Sequence, residues 1–239
     1  MGKNIITQAR GKGSPTYRAP SFRYKGKPKH RSLTHDETEV LGLVVDFINC
    51  PGHTAPIACI EYEDGEMNIM LAGEGMKVGD TVECGKSAEP KKGNTITLGS
   101  LPEGTFVYNI EAQPGDGGKY VRSSGTFAKI LTHARDHVVV QLPSKKKKKF
   151  SLACRATVGN LAGGGRPEKP IMKAGKRYYM MKANNKLYPV VSGSAMNAVD
   201  HPFGNKRTLR KSKAKPTSKH SPPGRKVGMV GARRTGKRK

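Results

Sequence analysis

Residues 56–72 read PIACIEYEDGEMNIMLA, and this stretch decides the fold. Two β-favouring runs, 56–63 and 66–72, flank Asp64-Gly65. That dipeptide suits the type I′ turn between two twisted strands, so the stretch predicts a β-hairpin. Upstream, residues 39–48 are rich in Val, Leu and Ile and predict a buried strand. Downstream, Gly73-Glu74-Gly75 and Val78-Gly79-Asp80 are turn sequences, followed by a short strand at 81–84. Short strands joined by Gly-rich turns predict a small closed barrel, the OB type being the common case. A second run follows Lys91-Lys92-Gly93-Asn94, with strands expected at 95–98, 106–111, 126–132, 137–142 and 150–161 and a turn at 133–136. It predicts a second small barrel. No window sustains a 3.6-residue period, so long helices are not expected; a short helix near 99–103 is the weak exception.

The chain has 239 residues and a formal net charge of +26, which calls for a polyanionic partner. The charge is unevenly spread. Residues 1–35 carry nine Lys or Arg and no acid, whereas 36–142 carry eight basic and sixteen acidic residues. Residues 143–203 carry thirteen basic and two acidic residues, and 204–239 carry fourteen basic and none acidic. A mildly acidic, foldable centre therefore lies between basic arms. Blocks of like charge repel one another, so both arms are expected to be disordered until a partner neutralises them. Nucleic acid does so with release of counterions. A membrane surface is the rival polyanion, but no amphipathic basic helix is visible and Pro and Gly break the arms. No run approaches the ~20 apolar residues of a spanning helix, and no signal-peptide pattern opens the chain. A soluble, intracellular protein is expected.

Four cysteines, Cys50, Cys59, Cys84 and Cys154, suit buried thiols in a reducing compartment. Cys50, His53 and Cys59 have the spacing of half a zinc site, but no second half follows. Gly163-Gly164-Gly165 lacks the Gly-Lys-Ser/Thr and the following helix of a nucleotide-hydrolysing loop. In Pro114-Gly115-Asp116-Gly117-Gly118-Lys119, Asp116 is expected to order the turn through backbone bonds. Lys145 to Lys149 form either a phosphate comb or a solvated hairpin tip. Tyr17, Phe22 and Tyr24 alternate with cations in the first arm, a pattern suited to stacking on unpaired bases. Residues 193–204, GSAMNAVDHPFG, place His201 in a nearly uncharged turn with no acid after Asp200. A general base needs an orienting partner and a nucleophile in reach, and neighbours in a turn rarely point at each other. His201 is therefore expected to contact RNA and not to catalyse.

Several motifs, in order, resemble the family of universal large-subunit ribosomal protein two in its archaeal form. They are RGKGSPTYRAPSFRYKG (10–26), PEGTFVYNIE (102–111), PGDGGKYVR (114–122), CRATVG (154–159), AGGGRPEKPIMKAG (162–175), SAMNAVDHPFG (194–204) and PPGRKVG (222–228). The family usually has a run of glycines after HPFG, where Asn205 and Lys206 stand here, and Arg-Gly before AMN, where Ser192-Gly193-Ser194 stands. The resemblance implies a mostly β fold, an OB-like barrel followed by an SH3-like barrel, with long irregular basic N- and C-terminal extensions. The expected boundaries are a basic arm at 1–35, barrels at 36–92 and 93–170, and a C-terminal extension at 171–239. The resemblance also implies large-subunit ribosomal RNA as partner, neighbouring ribosomal proteins, a contact with the small subunit across the subunit interface, and a site near the peptidyl-transferase region in the cytoplasmic ribosome. No cofactor, metal, membrane or second copy is expected. The rival reading is a general RNA chaperone or architectural nucleic-acid-binding protein outside the ribosome.

The RNA contacts expected in the first arm are Arg10, Lys12, Arg18 and Arg23. Those of the body are Lys119, Arg122, Arg155 and Arg166, continuing through Lys169, Lys173, Lys176 and Arg177. His201 and, in the tail, Arg225, Lys226, Arg233 and Arg234 complete the set. Arginine is favoured because its planar fork binds phosphate bidentately and stacks on bases.

Overall fold

The computed structural model describes residues 2–32, 39–205 and 215–233. The chain divides into two compact units, Ser21–Ile171 and a second built from Met1–Pro20 together with Met172–Lys239.

The Ser21–Ile171 unit carries β1 (Glu39–Ile48), β2 (Ile57–Tyr62), β3 (Met67–Leu71), β4 (Thr81–Gly85), β5 (Thr95–Thr97), β6 (Phe106–Tyr108), β7 (Ala128–His133), β8 (His137–Gln141), β9 (Lys147–Ser151) and β10 (Arg155–Val158). They form one continuous sheet in the order β3-β2-β1-β4-β5-β10-β6-β7-β8-β9. Every pairing is antiparallel except β4 with β5, where Cys84 meets Thr95 and Gly85 meets Ile96. That parallel step joins an OB-like barrel to an SH3-like barrel. The first barrel packs Val44, Ile60, Tyr62, Met70 and Val82 inward. The second packs Ile96, Leu101, Val107, Ile130, Val140 and Phe150. Leu71 of the first and Tyr108 of the second share a small cluster with Ala55 and Leu161.

The hairpin at Asp64-Gly65 forms by a different turn from the one its dipeptide predicts. Only Gly65 has positive φ, +81°, so the two-residue type I′ turn is not used. The Gly65 N–H donates to Tyr62 O at 2.8 Å, and the Tyr62 N–H donates to Glu66 O at 3.0 Å. This is a type I turn closed by a left-handed glycine bulge. Glu66 and Asp64 are thereby brought beside Arg31.

Strand β1 also departs from expectation. Its apolar residues alternate, so Val44 is buried while Leu41, Leu43 and Val45 face outward. The long strand expected at 150–161 is two strands. A turn in which the Cys154 N–H donates to Ser151 O separates them. It moves the chain from the β8 edge to a place between β5 and β6. Strand β9 begins at Lys147, so three of the five lysines are strand residues and not a hairpin tip. Lys148 turns inward, its Nζ 3.9 Å from the Tyr120 ring centre.

In the second unit, α1 (Ile6–Gly11) and α2 (Ala174–Ala183) are helices. Neither has a buried residue, which explains why no core-facing period marks α2 in the sequence. The tail was expected to have no fold of its own, yet 215–233 is held in turns that pack back on Phe203. The Thr217 N–H bonds Met229 O at 3.0 Å, the Gly231 N–H bonds Thr217 O at 2.7 Å, and Val227 is buried.

Gly42 sits where a Cβ would fall 2.6 Å from Ile60 Cγ2 and 2.8 Å from Tyr62 Cδ1. Gly42→Ala should cost about 1–3 kcal/mol by overpacking the first barrel. Chemical denaturation checks this; an unchanged midpoint would place the strand elsewhere.

Candidate nucleic-acid interface

The division into units is also a division of charge. The unit formed by Met1–Pro20 and Met172–Lys239 contains 23 Lys and Arg and a single acid, Asp200. The Ser21–Ile171 unit contains 21 against 17. Asp200 lies 3.6 Å from Lys3 Nζ, both exposed, and such a pair neutralises little. Almost the whole excess of positive charge thus belongs to one unit.

The His201 turn lies in that unit. The Asn205 N–H closes it on Met196 O at 3.1 Å, and the Gly204 N–H bonds His201 O at 2.9 Å. The Phe203 N–H donates to His201 Nδ1 at 3.1 Å, which leaves the proton of the neutral ring on Nε2. Gly193 packs under the imidazole, where a Cβ would fall 2.3 Å from Cε1. Gly204 packs on Asn197, where a Cβ would fall 2.2 Å from its carbonyl oxygen. Close approach requires glycine at both positions. The Asp200 carboxylate is directed to Lys3, so the adjacent acid and histidine form no dyad. Gly204→Ala should therefore open this turn. Chemical-shift changes confined to 193–205 and 228 would check it; spectra unaltered there would contradict the packing.

The arm cations are placed variously. Arg10 is half-buried, donating through Nη2 to Asn185 O at 3.3 Å and lying 5.3 Å from the Tyr17 ring centre. Lys12 and Arg18 are exposed. Arg23, in the other unit, is exposed and lies 5.2 Å from the Phe22 ring centre. Of the three arm aromatics, Tyr17 covers Arg10 and Tyr24 packs edge-on to His53, a ring Gly52 leaves room for. Phe22, 83% exposed, is the one open for stacking.

The body cations divide into structural and presented groups. Arg155 corrects the expectation drawn from sequence, because only 6% of it is exposed and its guanidinium ends inside the fold. Its Nη2 donates to Glu111 Oε1 at 2.9 Å, and its Nη1 to Arg31 O at 2.6 Å. Glu111, fully buried, also accepts the N–H groups of Arg155 (2.9 Å), Gly115 (3.3 Å) and Gly117 (3.2 Å). Arg31 in turn pairs with Glu66 at 2.7 Å and with Asp64, and lies 5.1 Å from the Tyr62 ring centre. Arg122 is half-buried, donating to Gly118 O at 2.9 Å and Pro28 O at 2.8 Å. As expected, Asp116 orders its loop, accepting from the N–H groups of Ala112, Gln113 and Gly118. Burial would raise its pKa, but these donors and Lys119 together hold it below the usual carboxylate value.

Lys119, Arg166, Lys169, Lys173, Lys176 and Arg177 are all exposed. Lys119 is 3.5 Å from Asp116, and Arg166 Nε donates to the buried Ser124 hydroxyl at 2.7 Å. Arg225, Lys226 and Arg233 are exposed in the tail, and Arg234 lies outside the described residues. Sequence reasoning missed Lys27 and Lys29, which line a cleft of about 260 Å³ with Lys119 and Arg122. Their place in an acid-free run was the available signal. It also missed His30, whose Nε2 lies 2.6 Å from Asn109 O. His53 Nδ1 is 3.2 Å from Cys50 Sγ, and among the described residues no three His, Cys, Asp or Glu side chains converge as metal ligands. Burial raises the Cys84 thiol pKa.

A two-barrel β body together with a unit of 23 cations and one acid has the charge pattern expected of a polyanion-binding protein. Residues 3–84 match the domain described as "Ribosomal Proteins L2, RNA binding N-terminal domain", and 91–222 match "Ribosomal Proteins L2, C-terminal domain". The chain belongs to the ribosomal protein L2 family. Proteins named "Large ribosomal subunit protein uL2" are similar to it throughout. That of Methanothermobacter thermautotrophicus is 51% identical over 241 residues, covering 100% of both chains. That of Methanocaldococcus jannaschii is 52% identical over 242 residues with the same coverage. That of Haloquadratum walsbyi is 49% identical over 237 residues, covering 99% of this chain and 97% of its own.

Two predictions follow from the buried network. Glu111→Gln leaves the Arg155 charge uncompensated and should cost about 3–5 kcal/mol in thermal or denaturant unfolding; a cost under about 1 kcal/mol would contradict the pair. His30 has its pKa lowered to about 4, first by burial and then by Arg155 and Arg122. The unfolded chain then binds more protons than the folded one between pH 6.5 and about 4. Stability from this group is fully present above pH 6.5 and declines as pH falls through that window. The melting temperature of His30→Gln should depend less on pH there; an identical pH profile would contradict the assignment.

Proposed function

We propose that the chain is a structural constituent of the large ribosomal subunit that binds ribosomal RNA, supports subunit assembly and association, and shapes the region near the peptidyl-transferase centre. The observation that carries this reading is the pairing of family membership with 23 cations against one acid in a single unit. The barrels, taken as 36–92 and 93–170, dock on folded RNA through backbone and shape. The cations of the extensions neutralise phosphates that would otherwise repel as RNA helices close together. Neighbouring ribosomal proteins and the small subunit are the other partners. The His201 turn serves as a shape fitted to RNA, and the chemistry of the centre is left to the RNA; a second copy, cofactor or membrane has no part.

RNA affinity should fall steeply with salt, by roughly a thousandfold between 50 and 200 mM if about six phosphates are neutralised. Filter binding to large-subunit RNA measures it. An affinity independent of salt would overturn the electrostatic reading, and equal affinity for unrelated RNA and DNA would favour a general chaperone instead. Removing 204–239 should leave cooperative unfolding of the barrels intact while flattening that salt dependence.

A further inference from the structure

A cleft of about 420 Å³ lies wholly within the cation-rich unit. Its volume is in the ~300–1,000 Å³ range of small-ligand sites. Pro202 and Phe203 form one wall, and the turn-rich tail from Lys215 to Val227 forms the other. We propose that this cleft receives one unpaired nucleotide of an RNA strand, its base against Phe203 and its phosphates against Arg225 and Lys215. The proposal rests on the RNA-binding reading above and adds to it a defined base-accepting site.

The aromatic wall is fixed in place. The edge of His201 meets Phe203 at 5.0 Å between ring centres and 65° between planes. The Phe203 N–H is tied to His201 Nδ1. Gly228, at φ +73°, packs against the ring, where a Cβ would fall 2.7 Å from Cζ. A ring already held in position loses little freedom on accepting a base, which favours binding. The facing wall is ordered as well. Thr217 Oγ1 donates to Val227 O at 3.0 Å, Ser218 Oγ accepts the His220 N–H at 3.2 Å, and the Arg225 N–H bonds Pro222 O at 2.9 Å. The Ser221 hydroxyl lines the cleft and has no hydrogen-bond partner among the described residues, so it is open to a base edge or ribose.

Charge selects the ligand class. Arg225 and Lys215 line the cleft, no Asp or Glu follows Asp200 in the sequence, and Asp200 is paired with Lys3. Nothing acidic in the tail competes for these cations. An aromatic face beside unpaired cations and small hydroxyls fits a nucleotide, whose base stacks while its phosphate is neutralised. A strand is favoured over a free nucleotide because the same tail segment carries further exposed cations, Lys219, Lys226 and Arg233, that a longer polyanion can engage.

Fluorescence anisotropy of the full-length protein with a five-nucleotide RNA, compared with the same strand lacking its central base, tests the site. The intact strand should bind about tenfold more tightly than the abasic one, as expected for one stacked base. Phe203→Leu should abolish that preference and Tyr17→Leu should retain it. Equal binding of the two strands by the unmodified protein, or a preference that survives Phe203→Leu, would overturn the proposal. Competition by adenosine or uridine monophosphate as effective as that of the strand would overturn the assignment to RNA in favour of a free nucleotide. Competition by an acidic peptide of equal charge as effective as that of the strand would point to a protein partner and equally overturn it. Salt-dependent binding of large-subunit RNA by Phe203→Leu is read in parallel; if it persists while the base preference fails in the unmodified protein, the cleft is wrong and the scaffold reading stands.

Discussion

The carboxylate of Glu111 is the point on which the body depends. It is fully buried and takes four hydrogen bonds, two from Arg155 and one each from Gly115 and Gly117. Arg155 passes the connection to Arg31 O, and Arg31 reaches Glu66 and Asp64 at the tip of the first hairpin. One polar network therefore ties together β10 of the second barrel, the 114–118 loop, the basic segment entering the body and the hairpin of the first barrel. A buried ion pair seldom adds much net stability over an apolar pair, but removing one partner is costly. The intact network adds little net stability, and losing Glu111 or Arg155 leaves a buried charge unanswered.

Two kinds of cation follow from this. Arg155 and Arg31 are internal, with their charges answered by Glu111, Glu66 and Asp64. The described cations of α2 and the tail are exposed in a unit with one acid, so their mutual repulsion is not answered within that unit. The acids of the chain are concentrated in the unit that carries the β core, and the other unit has only Asp200. The same arrangement makes the His201 turn a matter of shape. Gly193, Gly204 and Gly228 allow backbone and rings to pack too closely for any other residue, and the one nearby acid is engaged with Lys3.

The strands were legible because hairpin dipeptides and β-branched runs are local signals. The hairpin at 56–72 and the strand at 39–48 could be placed within a residue or so. What local pattern could not carry was the burial of charge. Arg155 reads as one more cation in a basic half, and only the fold brings it to Glu111, 44 residues earlier. The turn type at Asp64-Gly65 was misread because the dipeptide admits both a type I′ turn and a type I turn with a bulge. Helix α2 was missed because it packs no face inward, so its sequence has no period to find. The break between β9 and β10 depends on which neighbours each half pairs with, again a long-range fact.

The buried cations answered by acids, Arg155 and Arg31, are distinct from the exposed cations, which are densest in the unit with one acid. Lysine acetylation of the full-length protein, free and bound to large-subunit RNA, tests residue by residue whether RNA engages that densest group. Strong protection is predicted at Lys173, Lys176, Lys182, Lys219 and Lys226, all exposed in the unit with one acid. None is predicted at Lys77, Lys86 or Lys91, exposed on the acid-balanced body. Protection spread evenly over both sets, or confined to the body, would contradict the account.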